Sequence, residues 1–335
     1  MVNITCLLLI INKQFKGVIN MNNFKKVGLT ALAGSLLATS AYAGAMSVAG
    51  SASIGVKNNS GSNTHGKVWT MGNQLTFSGS GETDGGINVS LSFVIDQGDD
   101  ATTGIANAPF DSHSLTLSTD SMGTLVFSGE GGSSAQSTLD GTAAGDIWDN
   151  GLGISSPSAS EAGNNSMMYT LPSLMDDLTV QASYSPGGAG GPSATAYRIG
   201  YTGFEGLTLD YAVGDTETIG SQAETTTMKA SYAISSFTIS ASNTEHDAVS
   251  ANSDEDVASW NIAYTVNDDL SVAYGVETHE TEGSAVDEEG EKLNVSYTTG
   301  GMTLSATQFN FEGSGNTAGA AGEKERWSLS ATFAF

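Results

Sequence analysis

The chain has 335 residues, of which 36 are acidic and 11 are basic, and it contains 42 glycines. Such acidity excludes nucleic acid as a partner, because a strongly negative surface repels phosphate backbones. The single cysteine, Cys6, lies near the amino terminus, so the rest of the chain has neither a disulfide framework nor thiolate chemistry. No cofactor is expected.

The first 43 residues differ in charge from everything after them. They contain four basic and no acidic residues, whereas residues 44–335 carry seven basic and thirty-six acidic residues, a formal net charge of −29. Lys25 and Lys26 precede an apolar stretch that ends at Ala41-Tyr42-Ala43, with the small residues that signal peptidase requires. The pattern predicts a cleaved Sec-type signal peptide over residues 21–43, and the apolar run is short for a membrane anchor. Residues 1–20 are interpreted as a mis-start of the gene, the alternative being a long leader.

After residue 43 the apolar residues alternate along the chain. From Leu270 to Val276 every second side chain is large and apolar, while those between are small or polar, so a strand here has one apolar and one polar face. An even number of strands returns both termini to one side, as a closed antiparallel membrane barrel requires. We find sixteen such stretches, centred near residues 51, 73, 91, 115, 126, 169, 181, 198, 210, 229, 239, 261, 273, 295, 305 and 331.

The connections between the predicted strands alternate in length. Short periplasmic turns on one rim and long extracellular loops on the other are typical of a bacterial outer-membrane barrel. We therefore predict an all-β transmembrane barrel over residues 44–335. The seven tight connections are residues 79–86, 119–123, 172–177, 203–206, 235–236, 267–269 and 299–301, and the longer ones include 96–111, 129–165, 245–256, 279–291 and 312–325.

A soluble β-sandwich is the alternative, because its strands also alternate. Its connections would not keep one rim short through sixteen strands. The polar faces here are mainly Ser, Thr, Gly, Asn and Ala, which suit a water-filled lumen. Aromatic residues such as Trp69, Tyr201 and Tyr264 gather at strand ends, as they do at a membrane interface.

The fifteenth stretch does not keep one apolar face. Met302 and Leu304 fall on one side of the strand, whereas Phe309 and Phe311 fall on the other. A β-bulge at residues 306–308 would restore the alternation.

The last ten residues, Arg-Trp-Ser-Leu-Ser-Ala-Thr-Phe-Ala-Phe, alternate without a break and end on Phe335. This ending resembles the assembly signal of outer-membrane proteins, which the barrel-insertion machinery reads by strand addition. The resemblance gives the signal to Trp327, Leu329, Phe333 and Phe335. An ordinary closing strand is the alternative.

With sixteen strands, a long third loop and this ending, residues 44–335 resemble the general trimeric porins of Gram-negative bacteria. The stretch Asn-Asn-Ser-Met-Met-Tyr-Thr-Leu-Pro-Ser at 164–173 resembles the strand after their constriction loop. The resemblance implies a homotrimer in contact with outer-membrane lipid and lipopolysaccharide. Those porins usually carry an arginine cluster on the wall facing the loop, whereas strands one to four here contain no Arg. The electric field that such a cluster gives the constriction is therefore not carried over to this chain by the resemblance.

Loop three, residues 129–165, is too long for a passive connection in a compact barrel. By the resemblance it folds inward and narrows the pore, the alternative being an exposed acidic loop tip. The residues expected at this constriction are Glu130, Asp140, Asp146, Trp148, Asp149 and Glu161.

Charged residues out of phase with the apolar faces are predicted to face the lumen. Arg198, Asp210 and Lys229 stand deepest, either as a ladder that guides anions or as a wall salt bridge, and we favour the salt bridge. The remaining lumen-facing predictions are Lys57, Lys67, Glu130, Glu277, Lys292 and Arg326.

The acidic run Asp254, Glu255 and Asp256 is a weak Ca²⁺ candidate, since hard cations favour oxygen clusters, and solvated rim charge is the favoured interpretation. Other acidic groups on the predicted rim lie at residues 96–100 and 287–291. No enzyme is expected: His65, His246 and His279 fall in predicted loops, with Asp247 beside His246, and no Gly-x-Ser-x-Gly motif is present.

Small residues at Gly50 and Ala52, on the outward face of the first strand, leave room for a neighbouring subunit, although a lipid-facing strand can also be small. We predict an outer-membrane porin that passes small hydrophilic solutes and ions by diffusion and prefers cations. A substrate-selective porin and a secreted all-β surface or adhesion protein are the alternatives.

Overall fold

The computed structural model describes residues 44–60, 66–96, 111–139, 141–150, 152–161, 164–187, 191–218 and 220–335. The predicted leader over residues 1–43, together with His65, residues 97–100 of the second loop and Asp140, lies outside these ranges. The strands are β1 (Met46–Ser60), β2 (Gly66–Glu82), β3 (Asn88–Asp96), β4 (Ser112–Thr119), β5 (Gly123–Glu130), β6 (Ser166–Thr170), β7 (Leu178–Ser185), β8 (Ser193–Phe204), β9 (Leu207–Thr218), β10 (Ser221–Ile234), β11 (Phe237–Asp247), β12 (Glu255–Asn267), β13 (Leu270–Thr281), β14 (Glu288–Thr299), β15 (Met302–Glu312) and β16 (Lys324–Ala334).

The sixteen strands form one closed antiparallel barrel, in which each strand pairs with its neighbours in sequence and β1 pairs with β16. The closing pair runs from Ser51 opposite Ala334 to Ser60 opposite Glu325. It is extended by two backbone hydrogen bonds, in which Gly50 N donates to Phe335 O at 2.7 Å and Phe335 N donates to Gly50 O at 2.9 Å. The predicted all-β, sixteen-stranded barrel is confirmed.

Most large apolar side chains of the strands point outward and are exposed or half-buried. In β8, Tyr197 and Ile199 are 58% and 51% exposed, whereas Ala196 on the inner face is fully buried. A water-exposed surface of this kind would be an aggregation hazard, but it matches the outward apolar band of a membrane barrel. Within the described ranges no helix is long and apolar enough to cross a membrane.

The seven predicted tight connections all join consecutive strands on one rim, with small changes of bounds at several of them and the largest change at the first. Gly79, Ser80 and Gly81 were predicted in a turn but pair with Leu91, Ser90 and Val89, so β2 continues to Glu82 and the turn covers residues 83–87. The turn between β14 and β15 needs two left-handed residues, and Gly300 and Gly301 supply them with φ of 56° and 82°.

The predicted bulge in β15 is wrong. Strand β15 pairs in regular register with both neighbours throughout residues 306–308. Phe309 and Phe311 therefore do point to the inner face, where they are 5% and 2% exposed. They belong to an apolar cluster inside the barrel, which is why the outward alternation fails at this end of the strand.

Deleting Phe335 should lower the fraction of protein that reaches the folded, outer-membrane state. The side chain is 73% exposed at the end of the closing strand, and its backbone forms the last bonds to β1. The fraction is measured by heat-modifiable gel mobility of membrane extracts, with Phe335→Tyr as the control that keeps a terminal aromatic ring. Normal assembly of the shortened chain would refute the assembly role.

Candidate functional site: the interior of the barrel

Loop three, which in the structure spans residues 131–165 between β5 and β6, packs against the inner wall of the barrel. The described part of the loop includes two short 3₁₀ helices, Ser137–Leu139 and Ile147–Asn150. Gln136 Nε2 donates to Thr227 Oγ1 of β10 at 3.0 Å. The amide of Ala143 donates to Ser242 Oγ and Ser259 Oγ at 2.9 and 2.8 Å. All three wall hydroxyls are on the face opposite the exposed apolar residues.

Glu277 of β13 is the acidic anchor of this loop. Its side chain is fully buried. Its carboxylate accepts hydrogen bonds from Thr142 Oγ1 at 2.5 Å, from the Trp148 amide at 3.2 Å and from the Ile147 amide at 3.4 Å. Hydrogen bonds to a charged acceptor are stronger than neutral ones, so one wall carboxylate fixes both ends of the turn before the second 3₁₀ helix.

Wall lysines hold the carbonyl groups of the same loop. Lys292 Nζ donates to Gly145 O at 2.8 Å and Lys324 Nζ donates to Leu152 O at 2.9 Å, while Lys229 Nζ donates to Gly141 O. Wall carboxylates thus accept hydrogen bonds from the loop's N–H groups, and wall lysines donate hydrogen bonds to its carbonyl groups.

A third group of wall residues binds the far part of loop three. Glu288 and Glu255 accept hydrogen bonds from the amides of Ser155 and Ser158 at 2.7 and 3.2 Å. His279, which is fully buried, has Nδ1 at 3.0 Å from Ser155 O and Nε2 at 3.8 Å from Glu255. His246 and His279 were predicted in loops, but β11 and β13 extend far enough to include both.

An apolar cluster completes the attachment. Ile147, Leu152 and Ile154 of loop three bury against Phe309 and Phe311 of β15, together with Ala144, and Trp148 packs at the edge. The two phenylalanines that interrupt the outward alternation therefore form the apolar surface against which the loop packs.

The predicted constriction residues occupy different positions along the loop. Asp146 has φ of 51°, accepts the Thr142 amide through Oδ1 at 2.7 Å, and so shapes the turn. Trp148 borders the apolar cluster, and its buried Nε1 has no hydrogen-bond partner among the residues that the structure describes. Asp149 is exposed and lines a cavity in the barrel. Asp146, Trp148 and Asp149 thus lie in one short stretch of the chain, and each has a different environment.

The remaining constriction residues lie apart from that stretch. Glu161 is exposed, and its amide donates to Thr216 Oγ1 of β9 at 2.9 Å. Glu130 is at the end of β5, where the register with β4 shifts, and its carboxylate lies 3.8 Å from His113 Nδ1. Asp140 lies outside the described residues.

Arg198 and Asp210 form an ion pair on the inner wall. Arg198 Nη2 and Nε donate to Asp210 Oδ1 at 2.8 and 3.1 Å, and Nη1 donates to Thr138 Oγ1 of loop three at 3.2 Å. Lys229 is opposite Asp210 in the pairing of β9 with β10, but its ammonium group reaches Gly141.

The part of the interior beside β1 and β16 contains a cavity of about 480 Å³, which Lys57, Arg326 and Asp149 line. Strands one to four contain no Arg, but closure of the barrel brings Arg326 of β16 next to β1. Lys67 was predicted to face the lumen and does not: it lies outside, with Nζ 6.0 Å from the ring centre of Trp327.

The Ca²⁺ candidates have separate partners. Asp254 accepts the Ala248 amide and Asp256 accepts Asn243 Nδ2, at 2.8 and 2.7 Å. Glu255 points inward to loop three, because consecutive strand residues face opposite sides. Over the residues that the structure describes, no three His, Cys, Asp or Glu side chains group as metal ligands.

An apolar exterior, a polar interior and an inward-packed third loop define a membrane barrel of the porin class. A family model described as Gram-negative porin matches residues 28–309. The chain therefore belongs to the Gram-negative porin family, and membership implies an outer-membrane location.

Solved structures share the fold at low identity. A loop-deletion mutant of OmpT, an outer membrane protein of Vibrio cholerae, has a TM-score of 0.65 and 16% identity and covers 87% of this chain and 99% of its own. The anion-selective porin from Comamonas acidovorans has a TM-score of 0.63 and 15% identity, with coverage of 87% and 99%. In-vitro folded OmpT of Vibrio cholerae in its trimer form gives 0.62 and 15%, with coverage of 88% and 100%. A search of curated proteins finds no match.

Replacing Glu277 with Ala should loosen loop three while the barrel still forms. The change leaves one hydroxyl and two amides without their acceptor, at a cost of about 2–4 kcal/mol in total. Cleavage of the loop by proteinase K in the folded barrel should then be at least roughly tenfold faster. Glu280→Ala, which removes an exposed carboxylate from the same strand, should leave the rate unchanged. Equal cleavage rates for the two variants would contradict the anchoring role.

Proposed function

We propose that the chain is exported by removal of residues 21–43 and that residues 44–335 form a water-filled channel for small hydrophilic solutes and ions. The observation that carries the proposal is the attachment of loop three to the inner wall of a closed barrel, which leaves a polar cavity beside β1 and β16. Loop three then forms one side of the constriction, and no catalytic step is proposed. Outer-membrane lipid, lipopolysaccharide and the barrel-insertion machinery are the expected partners.

A preference for cations is the finer part of the proposal. Residues 44–335 carry a formal net charge of −29. Several wall bases are already engaged: Arg198 pairs with Asp210, and Lys292 and Lys324 donate to loop carbonyls. Exposed acids such as Asp149 and Glu161 remain on the loop, and a pore mouth with one sign of charge concentrates counter-ions. The Comamonas porin of the same fold is anion-selective, so the side chains and not the barrel must decide the sign.

The zero-current potential across a bilayer with a KCl gradient should show cation preference in dilute salt and little preference near molar salt. The Debye length shrinks from about 8 Å at physiological ionic strength to about 3 Å at 1 M, so the fixed charges are screened. Changing Asp140, Asp146 and Asp149 to Asn should lower the preference, whereas Asp268→Asn on a short turn should not. An anion-selective wild type would refute cation preference, and an unchanged triple mutant would remove loop three from the constriction.

We also propose a homotrimer that packs through the outward face of β1. This is supported by the small residue Ala52 on that face and by the trimer form of the Vibrio cholerae OmpT structure. Gly50 leaves no comparable room, because the ring of Phe335 and the side chain of Leu75 lie over it. Small residues allow close packing of membrane segments.

Light scattering in mild detergent should give the mass of a trimer for the wild type. Ala52→Trp should shift it to the monomer mass, because the ring fills the space of the neighbouring wall. Ala241→Trp, at an exposed outward position of β11, is the matched control and should stay trimeric. A monomeric wild type would defeat the proposal.

A further inference from the structure

The eighth loop, residues 313–323 between β15 and β16, is buried at its base and exposed at its tip. Gly313, Ser314 and Gly322 are buried, whereas residues 317–321 are exposed. A backbone hydrogen bond closes the base, in which Ser314 N donates to Gly322 O at 3.1 Å. Loop eight therefore has an inner part within the barrel and an accessible tip on the rim of the long loops.

The inner part of loop eight bonds directly to loop three. The Gly315 amide donates to Gly153 O at 2.7 Å. The Ser314 hydroxyl, which belongs to a side chain only 3% exposed, lies 2.5 Å from Leu152 O and 3.0 Å from Gly153 O. It also accepts a hydrogen bond from Lys324 Nζ at 2.6 Å, and the same ammonium group donates to Leu152 O. The wall, loop eight and loop three thus meet at one point.

The backbones of the two loops approach each other too closely for a side chain between them. Gly153 has φ of 87°, in the left-handed region. A Cβ at this position would lie 2.5 Å from Ser314 Oγ and 3.0 Å from Lys324 Nζ. Glycine permits both the conformation and the close approach. The contact between the loops therefore depends on the absence of a side chain at position 153.

Glu288 of β14 is shared between the two loops. Its side chain is 1% exposed. Oε2 accepts the Ser155 amide of loop three at 2.7 Å, and Oε1 accepts the Gly315 amide of loop eight at 2.8 Å. A buried carboxylate is costly unless its oxygens are hydrogen-bonded. Withdrawal of either loop leaves one oxygen without that donor, so each loop stabilises the site that the other loop uses.

We propose that loop eight positions the second half of loop three and that the two loops respond as one unit, with Glu288 as the positioning residue between them. Coupling between two sites is reciprocal, so a displacement of loop eight loosens residues 152–158 of loop three. The proposal rests on the channel function above. It makes the exposed tip, residues 317–321, a place from which the constriction is controlled outside the membrane.

The test compares two hydroxyl deletions in loop eight of the full mature chain. Ser314→Ala removes the hydroxyl that reaches loop three, whereas Thr317→Ala, the matched control, removes one that donates to Gly315 O within loop eight. Folded barrels are treated with proteinase K, and the cuts are mapped by mass spectrometry. Ser314→Ala should be cut within residues 152–158 about tenfold faster than the wild type, a change of about 1.4 kcal/mol. Thr317→Ala should be cut at the wild-type rate.

Single-channel recordings of the same variants give the functional readout. Brief interruptions of the open current should be about tenfold more frequent in Ser314→Ala than in Thr317→Ala. Glu288→Gln should behave like Ser314→Ala, because the new amide group donates where one of the loops needs an acceptor. Glu289→Gln, at an exposed position of the same strand, should record like the wild type.

The outcomes are separable. Ser314→Ala with the cleavage rate of Thr317→Ala overturns the coupling of the loops, and faster cleavage with an unchanged current overturns their control of the constriction. Either result leaves the channel function standing. A folded barrel without conductance overturns the channel function, whereas the cleavage rates still decide the coupling. If Glu288→Gln fails to give the heat-modifiable form, Ser314→Ala decides alone, because it removes a single oxygen from the chain.

Discussion

The structure depends on the pairing of its first strand with its last. In hydrocarbon no water is available for unpaired peptide groups, so a sheet can cross a membrane only when it has no free edge. The β1–β16 pair removes that edge over ten register positions and continues into the mutual bonds of Gly50 and Phe335. The outward apolar faces follow from this closure, since alternate side chains of a closed sheet divide strictly into an outer and an inner set.

Closure also creates the interior in which loop three is held. Charges are costly away from water unless they are hydrogen-bonded. Here they are bonded to peptide groups: Glu277, Glu288 and Glu255 accept loop amides, and Lys292 and Lys324 donate to loop carbonyls. The inner wall thus supplies the partners that an irregular segment cannot find in itself. The same hydrogen bonds stabilise the buried charges of the wall and satisfy the peptide groups of the loop.

Local sequence pattern was sufficient for the number and order of the strands, because apolar residues alternate with small or polar ones along most of each strand. It was also sufficient for the inward direction of Arg198, Asp210, Glu277 and Lys292. It failed where a residue serves a distant segment: Phe309 and Phe311 looked like a register fault, because the loop they seat is far away in sequence. Lys67 was assigned to the wrong face because the alternation of its strand was extended beyond the residues where it is clear. The proximity of Arg326 to Lys57 arises only on closure, so the sequence of strands one to four does not predict it.

The way in which loop three is attached has a consequence for how such a pore can diverge. The wall residues form hydrogen bonds mostly with the loop's peptide groups. These groups are nearly the same whatever the amino acid at each position. Exposed side chains of the loop, such as Asp149, can therefore be exchanged with little effect on anchorage. During evolution, single substitutions of exposed loop residues could therefore change which solutes the pore admits. The inner-wall residues that hold the loop would change more slowly.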